Sequence, residues 1–139
     1  MATTIRPEVS IKNRYYIDKH RHYELKHFCL QYPRWKRAYI DCIDPDVPMS
    51  MVDGVQDPGG VYDPASTRAV TRAYYSKRMQ LIEETAKDAD KYLWQYILKG
   101  VTEGLSYTYL KTKLGIPCGK DMYYDRYRRF FWLLSEIRD

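Results

Sequence analysis

Glu103-Gly104-Leu105-Ser106-Tyr107, then Leu114-Gly115-Ile116-Pro117, then Tyr123-Tyr124-Asp125-Arg126-Tyr127-Arg128-Arg129-Phe130-Phe131 carry the strongest local signals in the chain. An apolar helix ends at a Glu-Gly break. A short helix then runs from Leu105-Ser106 to Leu114-Gly115, and a Gly-Ile-Pro turn leads into a long aromatic and basic helix. Ser106 is a natural N-cap, because its hydroxyl can accept from an N–H of the first turn. Leu105 and Leu110 have the spacing of a hydrophobic staple. Gly115 suits the left-handed position just past a helix end. A short helix, a tight turn and a helix with outward cations are the parts of a helix-turn-helix, which the major groove of DNA accepts.

Working outward, the rest of the chain also reads as helical. Leu93, Trp94, Ile97, Leu98 and Val101 form the inward side of the helix before the Glu-Gly break, with Asp88 or Asp90 as its cap. Asp63-Pro64 is a start signal, a cap followed by proline at the first helical position. The helix from Pro64 to about Lys87 places Val70, Ala73, Tyr74 and Leu81 on one stripe, with Glu83 and Lys87 as an i,i+4 pair. Tyr15 to Tyr32 has Leu25, Phe28, Cys29 and Tyr32 at helical spacing. Pro33 ends that helix or begins another carrying Trp35, Tyr39 and Ile40. Residues 1–13 read as a loose arm. Nothing alternates with period two, so the predicted fold class is all-α, a helical bundle with a C-terminal helix-turn-helix. The predicted organisation is a basic helical segment over 1–41, an acidic Pro/Gly loop over 42–63, a connecting helix over 64–89 and the helix-turn-helix over 90–139.

Charge sharpens this reading. Residues 1–40 hold nine Lys/Arg against three acids, residues 41–90 five against ten, and residues 91–139 nine against five. Two basic ends flank an acidic middle, which points to a polyanionic partner at one or both ends. The 45 % hydrophobic content suffices for a modest core. No apolar run approaches the length of a bilayer span, so no membrane partner is expected. The opening residues lack the apolar segment of a signal peptide. Cys29, Cys42 and Cys118 are odd in number and widely spaced. That is neither a disulfide framework nor a zinc pattern, and it suggests a reduced, cytoplasmic protein.

At about 100° per residue, Tyr123, Tyr127, Phe130, Leu134 and Ile137 share one side of the last helix and would pack onto Leu93, Ile97 and Leu110. The other side carries Asp121, Asp125, Arg128, Arg129 and Trp132, with Lys120 and Tyr124 at its leading shoulder. In a helix-turn-helix the leading turns of this helix touch base edges. Lys120, Asp121, Tyr124 and Asp125 are therefore predicted at the groove floor, with Arg128 and Arg129 reaching bases or phosphates. Ser106, Tyr107, Thr108 and Lys111 begin the preceding helix, where N–H groups and hydroxyls grip phosphate. The competing reading is a solvated charged face on an ordinary bundle helix. An outward Trp132 points to packing against the N-terminal helices or against a partner subunit, so a homo-oligomer is among the candidate partners.

Gly104-Leu105-Ser106-Tyr107, Leu110 and Leu114-Gly115-Ile116 resemble the helix-turn-helix of sigma-factor region four. More closely, Tyr96-Ile97-Leu98-Lys99-Gly100-Val101-Thr102-Glu103 before them, and Ile116-Pro117-Cys118 through Arg128-Arg129-Phe130-Phe131 after them, resemble phage late-gene regulators of the RinA/ArpU type. Tyr23-Glu24-Leu25 and Tyr32-Pro33-Arg34-Trp35-Lys36 look like the N-terminal words of such proteins. The resemblance implies a phage or prophage transcription regulator acting in a bacterial cytoplasm on double-stranded DNA near promoters, with RNA polymerase as a further partner. It does not extend to the 42–63 loop. Cys118-Gly119-Lys120-Asp121 lengthens the turn relative to sigma factors, and no sigma region two is present.

Other constellations carry less. His20, Glu24 and His27 share a helix face and could hold a transition metal, but a solvated polar stripe explains them as well. Pro33-Arg34-Trp35-Lys36-Arg37 reads as a second nucleic-acid contact or as a core Trp flanked by snorkelling cations. No nucleotide-binding glycine loop, nucleophile elbow or dense carboxylate set is present, so the chain reads as a non-enzyme without cofactor or metal. Two further classes stay open: a packaging component resembling small terminase subunits, and a module whose basic helix binds an acidic host protein or polymerase.

Overall fold

A computed structural model describes residues 12–44, 46, 48, 51 and 64–138. Among the described residues six helices follow in order: α1 (Lys19–Leu30), α2 (Tyr32–Ile43), α3 (Pro64–Ala89), α4 (Trp94–Glu103), α5 (Tyr107–Leu114) and α6 (Lys120–Ile137). Among the described residues there is no strand, and the fold is all-α as the periodicity predicts. No helix among them is long and apolar enough to cross a membrane. Residues 1–11 of the predicted 1–13 arm, most of the 42–63 loop and the Asp63 cap lie outside the described residues.

Local chemistry accounts for the helix ends. Asp18 caps α1, its carboxylate accepting from the His20 N–H at 2.9 Å. Pro64 opens α3, where its missing N–H costs nothing. Asp90 accepts from the N–H groups of Tyr92 and Leu93, both at 2.8 Å, and so shapes the turn ahead of α4. Lys87, predicted to pair with Glu83, has its ammonium 4.8 Å from the centre of the Trp94 ring.

The chain divides into two compact units, Met1–Gln31 with Ile82–Asp139 and Tyr32–Leu81. This grouping crosses the linear division read from the sequence, because α1 belongs with the C-terminal helices. In the first unit α1 packs against α4 and α6, and α4 also meets α5 and α6. Its core takes Leu25, Phe28 and Cys29 from α1, Ile97 and Val101 from α4, Leu110 from α5, and Tyr123, Phe130, Phe131 and Leu134 from α6. Each fully buried Phe contributes roughly 1.5–3 kcal/mol relative to exposure. The far ends of α1 and α6 are clamped together. Arg21 donates to the carbonyls of Ser135 (3.3 Å) and Arg138, and Glu24 accepts from Arg21 and Arg138 at 2.6 and 2.8 Å.

In the second unit Trp35, Ala38 and Cys42 of α2 are buried, as are Tyr75 and Met79 of α3. Arg68 donates to the carbonyls of Cys42 and Asp44 at 2.8 and 3.0 Å, a cation on the negative end of α2. Trp35 is core, while Arg34, Lys36 and Arg37 stay exposed around it, which favours the snorkelling reading.

Three predicted faces need correction. On α3, Val70 and Tyr74 are exposed, and burial falls on Tyr75, Met79, Ile82, Ala86 and Ala89. Both sets are helically spaced, so a hydropathy pattern does not choose between them. On α2, Ile40 is half exposed, and the helix runs through Cys42 to Ile43 rather than ending before a loop at residue 42. On α6, Ile137 in the last turn is exposed and Phe131 takes its place in the core, because α1 supplies a partner for that flank.

Candidate nucleic-acid interface

The helix-turn-helix is built from its caps. Gly104 ends α4 in the left-handed region (φ 69°), and the Leu105 N–H returns to the Gly100 carbonyl at 3.2 Å. Ser106 caps α5 by accepting from the Tyr109 N–H at 3.2 Å. Gly115 ends α5 with φ 67°, and the Ile116 N–H donates to the Leu110 carbonyl at 3.1 Å. Glycine, with no Cβ, takes these two conformations without the steric cost that most residues would carry there. Ile116 is fully buried, so the turn is pinned by an apolar side chain. The Tyr107 hydroxyl donates to the Cys118 carbonyl at 2.6 Å and ties the turn back to α5.

α5 is held by a single buried residue, Leu110. Thr108, Tyr109, Lys111, Thr112 and Lys113 all face solvent, and so does Lys120 at the start of α6. From Leu105 to Lys120 the chain has no acidic residue. Ser106 and Tyr107 are half-buried, and two of the leading N–H groups are already used: Tyr109 donates to Ser106, and Tyr107 donates to the Tyr124 hydroxyl at 3.4 Å. Lys111 extends toward the Ile116 carbonyl, 3.4 Å away. The α5 surface therefore offers side-chain cations and hydroxyls more than open backbone donors.

α6 divides along its length. Lys120 and Asp121 are exposed in its first turn, and Tyr124 and Asp125 are half-buried in the next. Arg126 donates to Asp90 at 3.0 Å and to Asp125 at 2.9 Å. Burial alone would raise the Asp90 carboxyl, but the N–H groups of Leu93 and Tyr92 and the Arg126 guanidinium outweigh it and hold the carboxyl below its ordinary value. Arg128 and Arg129 are half-buried rather than free on a rim. The Nε of each is buried without a hydrogen-bond partner among the described residues. Arg129 also reaches the Tyr15 hydroxyl (3.4 Å) and the Asp88 carbonyl (3.5 Å). Trp132 is half-buried with its ring 5.9 Å from that of Tyr15, so the N-terminal segment covers it.

The predicted residues thus fall into two groups. Ser106, Tyr107, Thr108, Lys111, Lys120 and Asp121 lie on α5 and the leading turn of α6. Tyr124, Asp125, Arg128 and Arg129 are woven into the module by hydrogen bonds, an ion pair or partial burial. Lys113, Tyr109 and Thr112 join the open α5 surface; the acid-free run around them was visible in the sequence. Glu24 of the His20–Glu24–His27 stripe is engaged by two arginines, and both histidines are exposed. No family model, curated protein or solved structure matches the chain.

Proposed function

We propose that this chain is a DNA-binding transcription regulator of phage or prophage type that grips a duplex through α5 and the leading turn of α6. The observation that carries the proposal is the acid-free run from Leu105 to Lys120, in which Lys111, Lys113 and Lys120 are exposed beside the Thr108 hydroxyl, while the Thr112 hydroxyl donates to the Thr108 carbonyl at 2.8 Å. Cations and hydroxyls so placed suit phosphate contacts, which set register and supply most of the affinity. Base readout falls to Lys120 and Asp121, the side chains nearest a groove floor. The sigma-like words at Gly104–Tyr107 make RNA polymerase the candidate second partner.

Fluorescence-anisotropy titration of labelled duplex fragments tests this. Affinity is expected to fall steeply with salt, and the double variant Lys111→Ala/Lys113→Ala to flatten the logarithmic salt slope by about two units, one for each phosphate left without its cation. A salt-independent signal, or a slope unchanged in the double variant, counts against the proposal. A second reading, an interaction module for an acidic protein, has its own support: Tyr109, Leu114 and Met122 expose apolar surface beside the same cations. A pull-down that survives nuclease treatment, with no shift of any duplex, favours that reading. A packaging component of the small-terminase kind would instead appear as a multi-subunit ring in native mass spectrometry.

A further inference from the structure

The arginines of α6 are turned inward or engaged, yet its outer side is not bare. Trp132 lies about 200° around the helix from buried Phe130, on the same side as Asp121 and Asp125. Against it sits Tyr15, only 5 % exposed, with its ring 5.9 Å from that of Trp132 and its hydroxyl accepting from Arg129. The segment before α1 is shaped around this anchor. Asn13 closes a turn, its side-chain oxygen accepting from the Tyr15 N–H at 2.8 Å and its carbonyl from the Tyr16 N–H at 3.0 Å. That turn holds Lys12, Asn13 and Arg14 exposed. The Arg14 guanidinium lies 4.6 Å from the centre of the Tyr15 ring. A stacked guanidinium keeps its in-plane N–H donors free for a phosphate oxygen. Among the described residues neither Lys12 nor Arg14 has an ion pair.

We infer that the Lys12–Tyr16 segment is a second duplex-contacting element, a cationic arm clipped by Tyr15 onto the outer side of α6. This rests on the DNA-binding reading above and extends it. α6 rises about 1.5 Å per residue, so Trp132 lies roughly 18 Å along the helix from Lys120. A duplex that receives the leading turn of α6 in its groove would bring its flanking backbone toward Lys12 and Arg14 farther along the helix. The contact is with backbone and carries no sequence preference. Arg129 acts through Tyr15 as a positioning residue for the arm. Of the acids nearby, Asp18 is spent on the α1 cap and Asp125 pairs with Arg126, while Asp88, Asp121 and Glu136 are exposed and bound the surface.

The test uses the full chain and the double variant Lys12→Ala/Arg14→Ala, titrated by anisotropy against several labelled duplexes of unrelated sequence over a range of salt. Both side chains are exposed, so Tm is expected to stay at the wild-type value. The logarithmic salt slope is expected to drop by about two units, with affinity lowered by the same factor on every sequence. A slope equal to that of the wild-type chain, with wild-type binding intact, overturns the arm and leaves the DNA-binding proposal standing. A loss confined to one sequence also overturns it, because a backbone contact cannot discriminate. If the wild-type chain itself shows no salt-dependent binding to any duplex, both proposals fall together.

Discussion

Gly100 lies on the buried face of α4, and a Cβ there would run into the Tyr123 hydroxyl. That hydroxyl is buried without a hydrogen-bond partner among the described residues, and burial pushes its proton affinity up. Two local facts therefore oppose each other. Alanine is the better helix former by roughly 0.5–1 kcal/mol, while forcing an atom into a filled core costs about 1–3 kcal/mol. The clash is expected to win, so Gly100→Ala lowers Tm. Tyr123→Phe removes an unpaired polar group and is expected to be neutral or mildly stabilising. In that background the nearest ring carbon is 3.5 Å from the new Cβ, an ordinary contact, and Gly100→Ala should then raise stability. Thermal unfolding of the four-member cycle checks the change of sign; the same destabilisation in both backgrounds would sink the argument.

At the scale of elements, the meeting of α1 with α6 is the part of the fold least visible beforehand. His22 of α1 is buried, with its ring 4.7 Å from that of Phe131 and edge-on to it. Its Nε2 has no hydrogen-bond partner among the described residues. Burial, and then the nearby Lys26 charge, push its pKa down to about 4. A histidine kept neutral in the native state costs nothing above pH 6.5. As pH falls the unfolded chain takes up its proton first, so stability declines between about pH 6.5 and 4 and levels off below. The loss from this one group is roughly 3 kcal/mol. Urea titrations at stepped pH should show that decline in the wild-type chain and much less of it in His22→Phe. Equal declines in both would remove His22 as the cause. Sequence pattern placed His20, Glu24 and His27 on one face and passed over His22. A lone histidine among charged neighbours has no signature of burial until the helix that covers it is known.

At the scale of the whole molecule, the helix-turn-helix shares its core with α1. The segment from residue 90 reads as a module in its own right, yet its last helix buries Phe131 against α1, and α1 meets both α4 and α6. The Arg21–Glu24–Arg138 clamp closes the same junction. A fragment spanning residues 82–139 is expected to keep helical circular dichroism but to melt broadly and to bind a hydrophobic dye. The full chain should unfold cooperatively. A fragment that melts as sharply and at the same temperature as the full chain would show that α1 is dispensable.

The sequence alone determined what is local and repeated within a turn or two. The Ser106 cap, the glycine stops at Gly104 and Gly115, the opening of α3 at Pro64 and the all-helical class follow from backbone chemistry that acts over a few residues. So does the acid-free cationic run along α5. Only the tertiary structure decided which of two competing stripes of α3 is buried, that α1 joins the C-terminal helices, and that Arg126, Arg128 and Arg129 turn into the module while Tyr15 packs against Trp132 of α6. Those outcomes depend on which surfaces meet across long separations in sequence. An arginine facing water and an arginine facing a distant carbonyl are spelled by the same letter at the same helical angle.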